Sequence, residues 1–187
     1  AKALMDKAKT TCPAEYAKAT DPKRGLVFDT ADSETNKKGA AIWIDSMMKN
    51  AGIVMKFNFI EPGSYYAVVL DATKQSDLSA GGWAPDWANA STVIPELFTK
   101  EGGFPMSQNW DDAAYAPFKQ KVEAALAESD RTKQGQMWAE LNQYVVDQMW
   151  IVPGIFSKTQ EMWGSGLGGI FFWEPQGAPS FGDIYIK

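Results

Sequence analysis

Histidine is missing from the chain altogether, and cysteine occurs once, at Cys12. Without histidine there is no Ser-His-Asp or Cys-His arrangement, no imidazole metal ligand, and none of the commonest general base. A single thiol forms no internal disulfide and falls far short of a structural zinc site. No apolar run reaches the roughly 18 residues that a membrane-spanning helix needs. Positive charge is also short: 18 Lys and Arg stand against 23 Asp and Glu, for a net charge of -5. That balance argues against nucleic acid, which is gripped by clustered basic side chains. No glycine-rich phosphate loop of the G-x-x-x-x-G-K type occurs either. Nothing in the sequence calls for a metal or a cofactor, and no constellation of residues supports an enzyme.

Tryptophan is the surplus, with eight in 187 residues. Most such rings belong to a core, and a surplus of them also suits a ligand surface. The length fits one domain with at most an appendage. The opening stretch, Ala1 to Thr10, carries neither an initiator Met nor an apolar signal region, so the chain is expected to be processed or cut from something longer.

Element signals follow in order. A short Ala/Lys helix to about Lys9 precedes a β-prone run, "LVFDTAD" (26–32). Ser33 is placed to cap a helix over about 34–50, with Ala40, Ala41, Ile44, Met47, Met48 and Ala51 on its inner stripe and Gly52 as its left-handed terminator. "IVMKFNFI" (53–60) alternates, with Ile53, Met55, Phe57 and Phe59 on one face, so the three pieces predict a βαβ unit with parallel strands. A short helix through "SYYAVVLDA" and a third strand near "SDLSAGGWA" come next. Two strong helices follow. Asn109 is placed to cap the first, with Tyr115, Phe118, Val122, Ala125 and Leu126 inward and a start or kink at Pro117; Asp130 caps the second, with Met137, Trp138, Leu141, Val145 and Met149 inward. "WIVPGIFSKTQEMWG" reads as a return strand, and the Gly/Pro-rich tail from Gly166 shows no period.

The stretch "GGWAPDWANAS" (81–91) sets one carboxylate, Asp86, between the indoles of Trp83 and Trp87. In open α/β sheets ligands gather beyond the carboxyl ends of strands, where the third strand would deliver this acid. Gly81 and Gly82 allow close approach, Pro85 stiffens the path, and the indole faces attract cations. An acid so placed suits an amine, with a charge-assisted hydrogen bond of roughly 1.5–3 kcal/mol. The alternative is structural: Asp86 caps a helix at about 91–98 or closes an Asx turn. Asp111 and Asp112 sit at a helix start, where acids complement the dipole. Glu96 and Asp71 are lone acids without evident partners.

Four landmarks stand at mutually consistent distances: "AKALMDKA"; "AAIWIDSMMKNAGIVMKFNFIEPGSYY"; "DLSAGGWAPDWANASTVIPELF"; and "FKQKVEAALAESDRTKQGQMWAELNQYVVDQMWIVPGIF". Taken together they resemble the C-terminal lobe of the family 5 extracellular solute-binding proteins, the dipeptide- and oligopeptide-binding components of ABC importers. The resemblance covers nearly the whole chain, and its G-W-x-x-D element followed by a helix pair is specific in combination. It implies an α/β lobe of the periplasmic-binding-protein type II kind, three-layered, with a mixed sheet and helices on both faces. Residues 1–165 would form the ligand-binding lobe and 166–187 a tail returning toward a missing N-terminal lobe.

By the same resemblance Asp86 would hold a peptide's α-ammonium, Trp83 would line the cleft, and Trp87, Gly82 and Ala84 would complete the ligand contacts. Partners would be a peptide or other small solute, a transmembrane permease and the absent lobe. The location would be extracellular or periplasmic, through a lipid anchor on the full-length protein. Two departures bear on the solute: Asn89-Ala90 replaces the usual D-P, and Trp87 stands where Tyr is commoner. Oligosaccharide, nickel chelate, haem or opine are the alternative solutes. A lone lobe is expected to bind peptide weakly or undetectably, because the opposing contacts are absent.

Overall fold

The computed structural model describes residues 1–104, 111–154, 158, 160–173 and 178–187. The chain divides into two compact units, Ala1–Gly81 and Gly82–Lys187.

The first unit is built on the expected βαβ. Helices α1 (Lys2–Thr11) and α2 (Pro13–Thr20) precede β1 (Leu26–Ala31), α3 (Glu34–Ala51), β2 (Met55–Ile60), α4 (Tyr65–Val69) and β3 (Leu78–Ser79). Pro13 opens α2, where its fixed φ is an advantage and its missing N–H costs nothing. The sheet runs β2-β1-β3, and both pairings are parallel, with Leu26 opposite Met55 and Phe28 opposite Leu78.

Local signals set the ends of α3. The Ser33 hydroxyl accepts from the Asn36 N–H at 3.1 Å, and Gly52 closes the helix at φ 69°. Ile53 N–H then reaches back to the Met47 carbonyl, which satisfies the last turn.

The inner stripe of α3 departs from expectation. Ala40 is buried and Met47 and Ala51 are half-buried, but Ala41, Ile44 and Met48 are exposed. Trp43 is exposed as well, although its ring lies 5.7 Å from that of Phe28. Phe28 in turn packs on Phe57 at 5.2 Å.

Strand β3 is also shorter than the expected "SDLSAGGWA". Only Leu78 and Ser79 pair with β1, and one more bond runs from Ala80 N–H to the Asp29 carbonyl. Glycines 81 and 82 follow, then Pro85, which has no N–H to give a ladder.

A buried acid ties this unit together. Asp29 is fully buried on β1, and its carboxylate accepts from Ser76 N–H at 2.8 Å, the Ser76 hydroxyl at 2.8 Å and Asn58 Nδ2 at 2.9 Å. Every donor is neutral, and the acid is satisfied by geometry rather than by a counter-ion. The Tyr65 hydroxyl donates to the Ala80 carbonyl at 2.5 Å, fixing the end of β3.

The second unit is a helix cluster with small antiparallel pairs. It holds α5 (Ile94–Phe98), α6 (Asp112–Ala127), α7 (Arg131–Asp147), β4 (Leu167–Gly168), β5 (Phe172–Trp173), β6 (Ala178–Pro179) and β7 (Tyr185–Ile186). β4 pairs with β7, and β5 with β6. Parallel and antiparallel pairing are therefore both present, in separate ladders, and the chain is of the α/β class.

Ile94, Leu97 and Phe98 of α5, Tyr115, Phe118, Val122 and Ala125 of α6, and Trp138, Leu141 and Val145 of α7 form one buried cluster. Each fully buried large side chain contributes roughly 1.5–3 kcal/mol. Leu126, expected inward, is exposed.

Asp111 caps α6 by accepting from Ala113 N–H at 3.0 Å, so the helix begins well before Pro117 and runs through it. Buried Tyr115 and Phe118 on either side anchor the turn that the proline would otherwise loosen. The expected cap, Asn109, lies outside the described residues. Asp130 caps α7 as expected, accepting from Thr132 and Lys133 N–H groups.

Met149, also expected inward, is 71% exposed. The helix ends at Asp147, and Met149 adopts φ 55° while Trp150 N–H bonds back to the Val145 carbonyl at 3.1 Å. This is a Schellman closure with a non-glycine in the left-handed position. It turns Met149 outward and Trp150 inward, where its ring meets Phe118 edge-on at 5.0 Å. Of the expected return strand at 150–164, the described residues form none; residues 155–157 and 159 lie outside them.

Candidate functional site

Residues 82–92 carry the expected site. Gly82, Trp83, Ala84, Asp86 and Trp87 are all solvent-exposed, and a Cβ added at Gly82 would meet nothing within 4 Å. The local frame is Thr92, which is itself buried. Its hydroxyl donates to Asp86 Oδ2 at 2.6 Å, the Asp86 N–H approaches the same hydroxyl oxygen at 3.3 Å, and Trp83 Nε1 donates to the Thr92 carbonyl at 2.9 Å. Trp87 Nε1 donates to the Ser91 hydroxyl at 3.2 Å. Trp83 also lies against Phe104, ring centroids 5.5 Å apart.

One threonine therefore fixes both the acid and the indole in front of it. Asp86 is neither a helix cap nor neutralised by a cation among the described residues. Asn89 takes the cap, its side chain accepting from Ser91 N–H at 2.9 Å at the head of a 3-10 turn, Ala90–Thr92. The carboxylate faces solvent with one oxygen held by a neutral hydroxyl, in the company of two indoles that hold their own N–H groups on neighbouring oxygens.

The lone acids find partners. Glu96 accepts from Gly103 N–H at 2.9 Å. Asp71 accepts from the Thr73 hydroxyl and N–H and pairs with Lys74, and these bonds hold its carboxyl down at about 2. Both acids lock turns.

Sequence reasoning missed Thr92 and the group around Gln134. Gln134 is buried; its amide donates to the Ala125 and Glu128 carbonyls, and its oxygen accepts from Asn89 Nδ2 at 3.0 Å and Arg131 at 2.9 Å. The helical spacing of Arg131, Gln134 and Trp138 was the available signal for this face. Among the described residues no three Cys, Asp or Glu side chains gather so as to hold a metal ion.

The fold is that of the periplasmic solute-binding proteins. The Escherichia coli murein tripeptide binding protein MppA covers 98% of this chain with a TM-score of 0.72 at 21% identity, over 35% of its own length. MppA in its unliganded open form gives 0.67 at 20% identity. The substrate-binding domain of an oligopeptide ABC transporter from Bacillus anthracis gives 0.64 at 19% identity, over 34% of its length.

In sequence, the oligopeptide-binding protein OppA of Bacillus subtilis is 24% identical over 174 residues, 91% of this chain. The oligopeptide-binding protein AliB of Streptococcus pneumoniae is 25% identical over 125 residues, 60% of this chain. The chain spans only 19% of AliB and 29% of OppA. No protein-family model matches the chain. The chain is thus similar in sequence to oligopeptide-binding proteins and in fold to periplasmic binding proteins, of whose length it matches a part.

Proposed function

We propose that this chain is the C-terminal lobe of an extracellular or periplasmic receptor that captures peptides for an ABC importer, and that Asp86 holds the peptide's α-ammonium. Residues 1–165 form the lobe and 166–187 the tail that returns toward an N-terminal lobe. Trp83 and Trp87 flank the ammonium, while Gly82 and Ala84 leave room for peptide backbone. The work is capture and release with no bond made or broken, and the partners are the second lobe, the solute and a membrane permease. A lipid anchor on the full-length protein keeps it at the membrane.

The observation that carries this reading is Asp86 itself. It is an exposed carboxylate oriented by Thr92, with no cation engaged among the described residues and two indoles beside it. An ammonium brings the missing charge and several donors at once. The relatives' names, both oligopeptide-binding proteins, point to the same class of solute.

The test is an NMR titration of the chain with a free-amine tripeptide and its N-acetylated form, following the Trp83 and Trp87 indole signals. A weak response to the free amine alone, lost in Asp86→Asn, is expected. An equal response to both forms, or a response that survives unchanged in Asp86→Asn, overturns the assignment. A response to oligosaccharide instead would favour the sugar-binding alternative.

A further inference from the structure

We propose that buried Gln134 is a positioning residue for the Asp86 site, holding residues 87–92 in place through the side chain of Asn89. The proposal deepens the peptide reading of Asp86 and rests on it.

Gln134 lies in the first half of α7 and is only 5% exposed. Both N–H groups and both oxygen lone pairs of its side chain are engaged. The amide nitrogen donates to the Ala125 carbonyl at 2.8 Å and the Glu128 carbonyl at 3.2 Å. The oxygen accepts from Arg131 at 2.9 Å and from Asn89 Nδ2 at 3.0 Å. These partners leave the amide one orientation. Main-chain carbonyls only accept and a guanidinium only donates, so the oxygen faces Arg131, and the group that meets it from position 89 must donate.

Asn89 meets that demand and fastens the site segment at the same time. Its Oδ1 accepts from Ser91 N–H at 2.9 Å, at the head of the Ala90–Thr92 turn. Its own N–H donates to the Trp87 carbonyl at 2.7 Å, and its carbonyl accepts from Thr92 N–H at 3.3 Å. Asn89 thus joins Trp87 on one side to Thr92, which aims Asp86, on the other. Among the described residues, the side-chain hydrogen bonds of 83–92 stay within the segment, except the one from Asn89 to Gln134.

Gln134 also reaches back to α6. Ala125 belongs to the last turn of that helix, where carbonyls lack partners, and Glu128 rather than a glycine follows the helix. One buried amide therefore fastens the end of α6, the start of α7 and the site segment together. A buried polar group satisfied on every atom favours a single arrangement of the pieces it joins.

The test is nitrogen-15 relaxation on the intact, labelled chain without ligand, then titration with the free-amine tripeptide and its N-acetylated form. Asn89→Asp keeps the acceptor for Ser91 and removes the donor to Gln134. In the unaltered chain the backbone amides of 87–92 are expected to be as rigid as those of α7; in Asn89→Asp they loosen while α7 stays rigid. The amine-dependent shift of the Trp87 indole signal should weaken about two- to tenfold, the range that one neutral hydrogen bond spans. Gln134→Met should loosen the same amides, and the double variant should add little to either change. A segment that stays rigid in Asn89→Asp, one already mobile in the unaltered chain, or an amine-specific response of unchanged strength in the variant overturns the proposal. So do effects of the two variants that simply add. The relaxation measurement needs no ligand, and Asn89→Asp decides even if Gln134→Met folds poorly. Equal responses to the free and acetylated peptides sink the peptide reading and leave Gln134 as the anchor of the segment; an amine-specific response with an unmoved segment sinks this proposal alone.

Discussion

Thr92 points its hydroxyl at Asp86, 2.6 Å from Oδ2, while its carbonyl receives the Trp83 indole N–H at 2.9 Å. A buried neutral residue thus aims an exposed acid and the aromatic before it, leaving the charge itself unspent.

Replacing Thr92 by valine keeps the volume and removes the hydroxyl. The chain is expected to lose about 1 kcal/mol of stability in urea unfolding, the net worth of one such hydrogen bond. The amine-dependent shift of the Trp83 signal should weaken, and Thr92→Ser should restore it. An unchanged response in the valine variant would show that Asp86 is aimed by something else.

Asp29 presents the opposite case, an acid wholly inside. Asp29→Ala strands the Ser76 and Asn58 donors beneath the sheet. At about 1–3 kcal/mol for each unsatisfied buried group, the loss should reach about 3 kcal/mol or more, read as a lower denaturant midpoint. A loss below about 1 kcal/mol would mean that water replaces the acid cheaply.

Met149 holds a left-handed conformation that glycine adopts freely, and its side chain is mostly exposed. Met149→Gly is expected to stabilise the chain by about 0.5–1 kcal/mol, the left-handed penalty less the added freedom of the unfolded glycine. Thermal unfolding checks the sign. A destabilised variant would show that the methionine side chain contributes packing.

Burial, with the Asp29 carboxylate adding to it, pushes the Tyr65 hydroxyl up to about 12. An unfolded tyrosine titrates near 10. The folded state therefore holds this proton more tightly, and the stability linked to it is complete below about pH 10 and lost as pH rises through about 12. Tyrosinate absorbance should show Tyr65 titrating late, alongside Tyr115, whose hydroxyl burial also raises. Tyr65→Phe should remove that late step and flatten this part of the alkaline decline in stability. A full tyrosinate count by about pH 11 would contradict it.

Much of the architecture was legible locally. The Ser33 and Asp130 caps and the Gly52 terminator each rest on groups a few residues apart, so short-range chemistry settles them, and the parallel βαβ follows from the strand, capped helix and strand in sequence. The core residues of α6 and α7 were likewise readable from their period, except at the ends. Leu126 and Met149 continue the period on paper, but α6 ends at Ala127 and α7 turns away at Asp147. On α3 the same period overreached: Ala40, Met47 and Ala51 turn inward, but Ala41, Ile44 and Met48 stay exposed.

The candidate site divides in the same way. Asp86 between two indoles, after a glycine pair and a proline, is a property of eleven consecutive residues, and the chain order alone left it either a socket for an amine or a structural turn. What Asp86 leans on, and which residues make up the face around Arg131, Gln134 and Trp138, was decided only in three dimensions. Those bonds join positions as far apart as Asn89 and Gln134, and a hydrogen bond's direction depends on where two separately folded segments come to rest. Sequence proximity determines caps and strand order. Which polar atoms end up satisfied, and which are left without a partner, follows from packing.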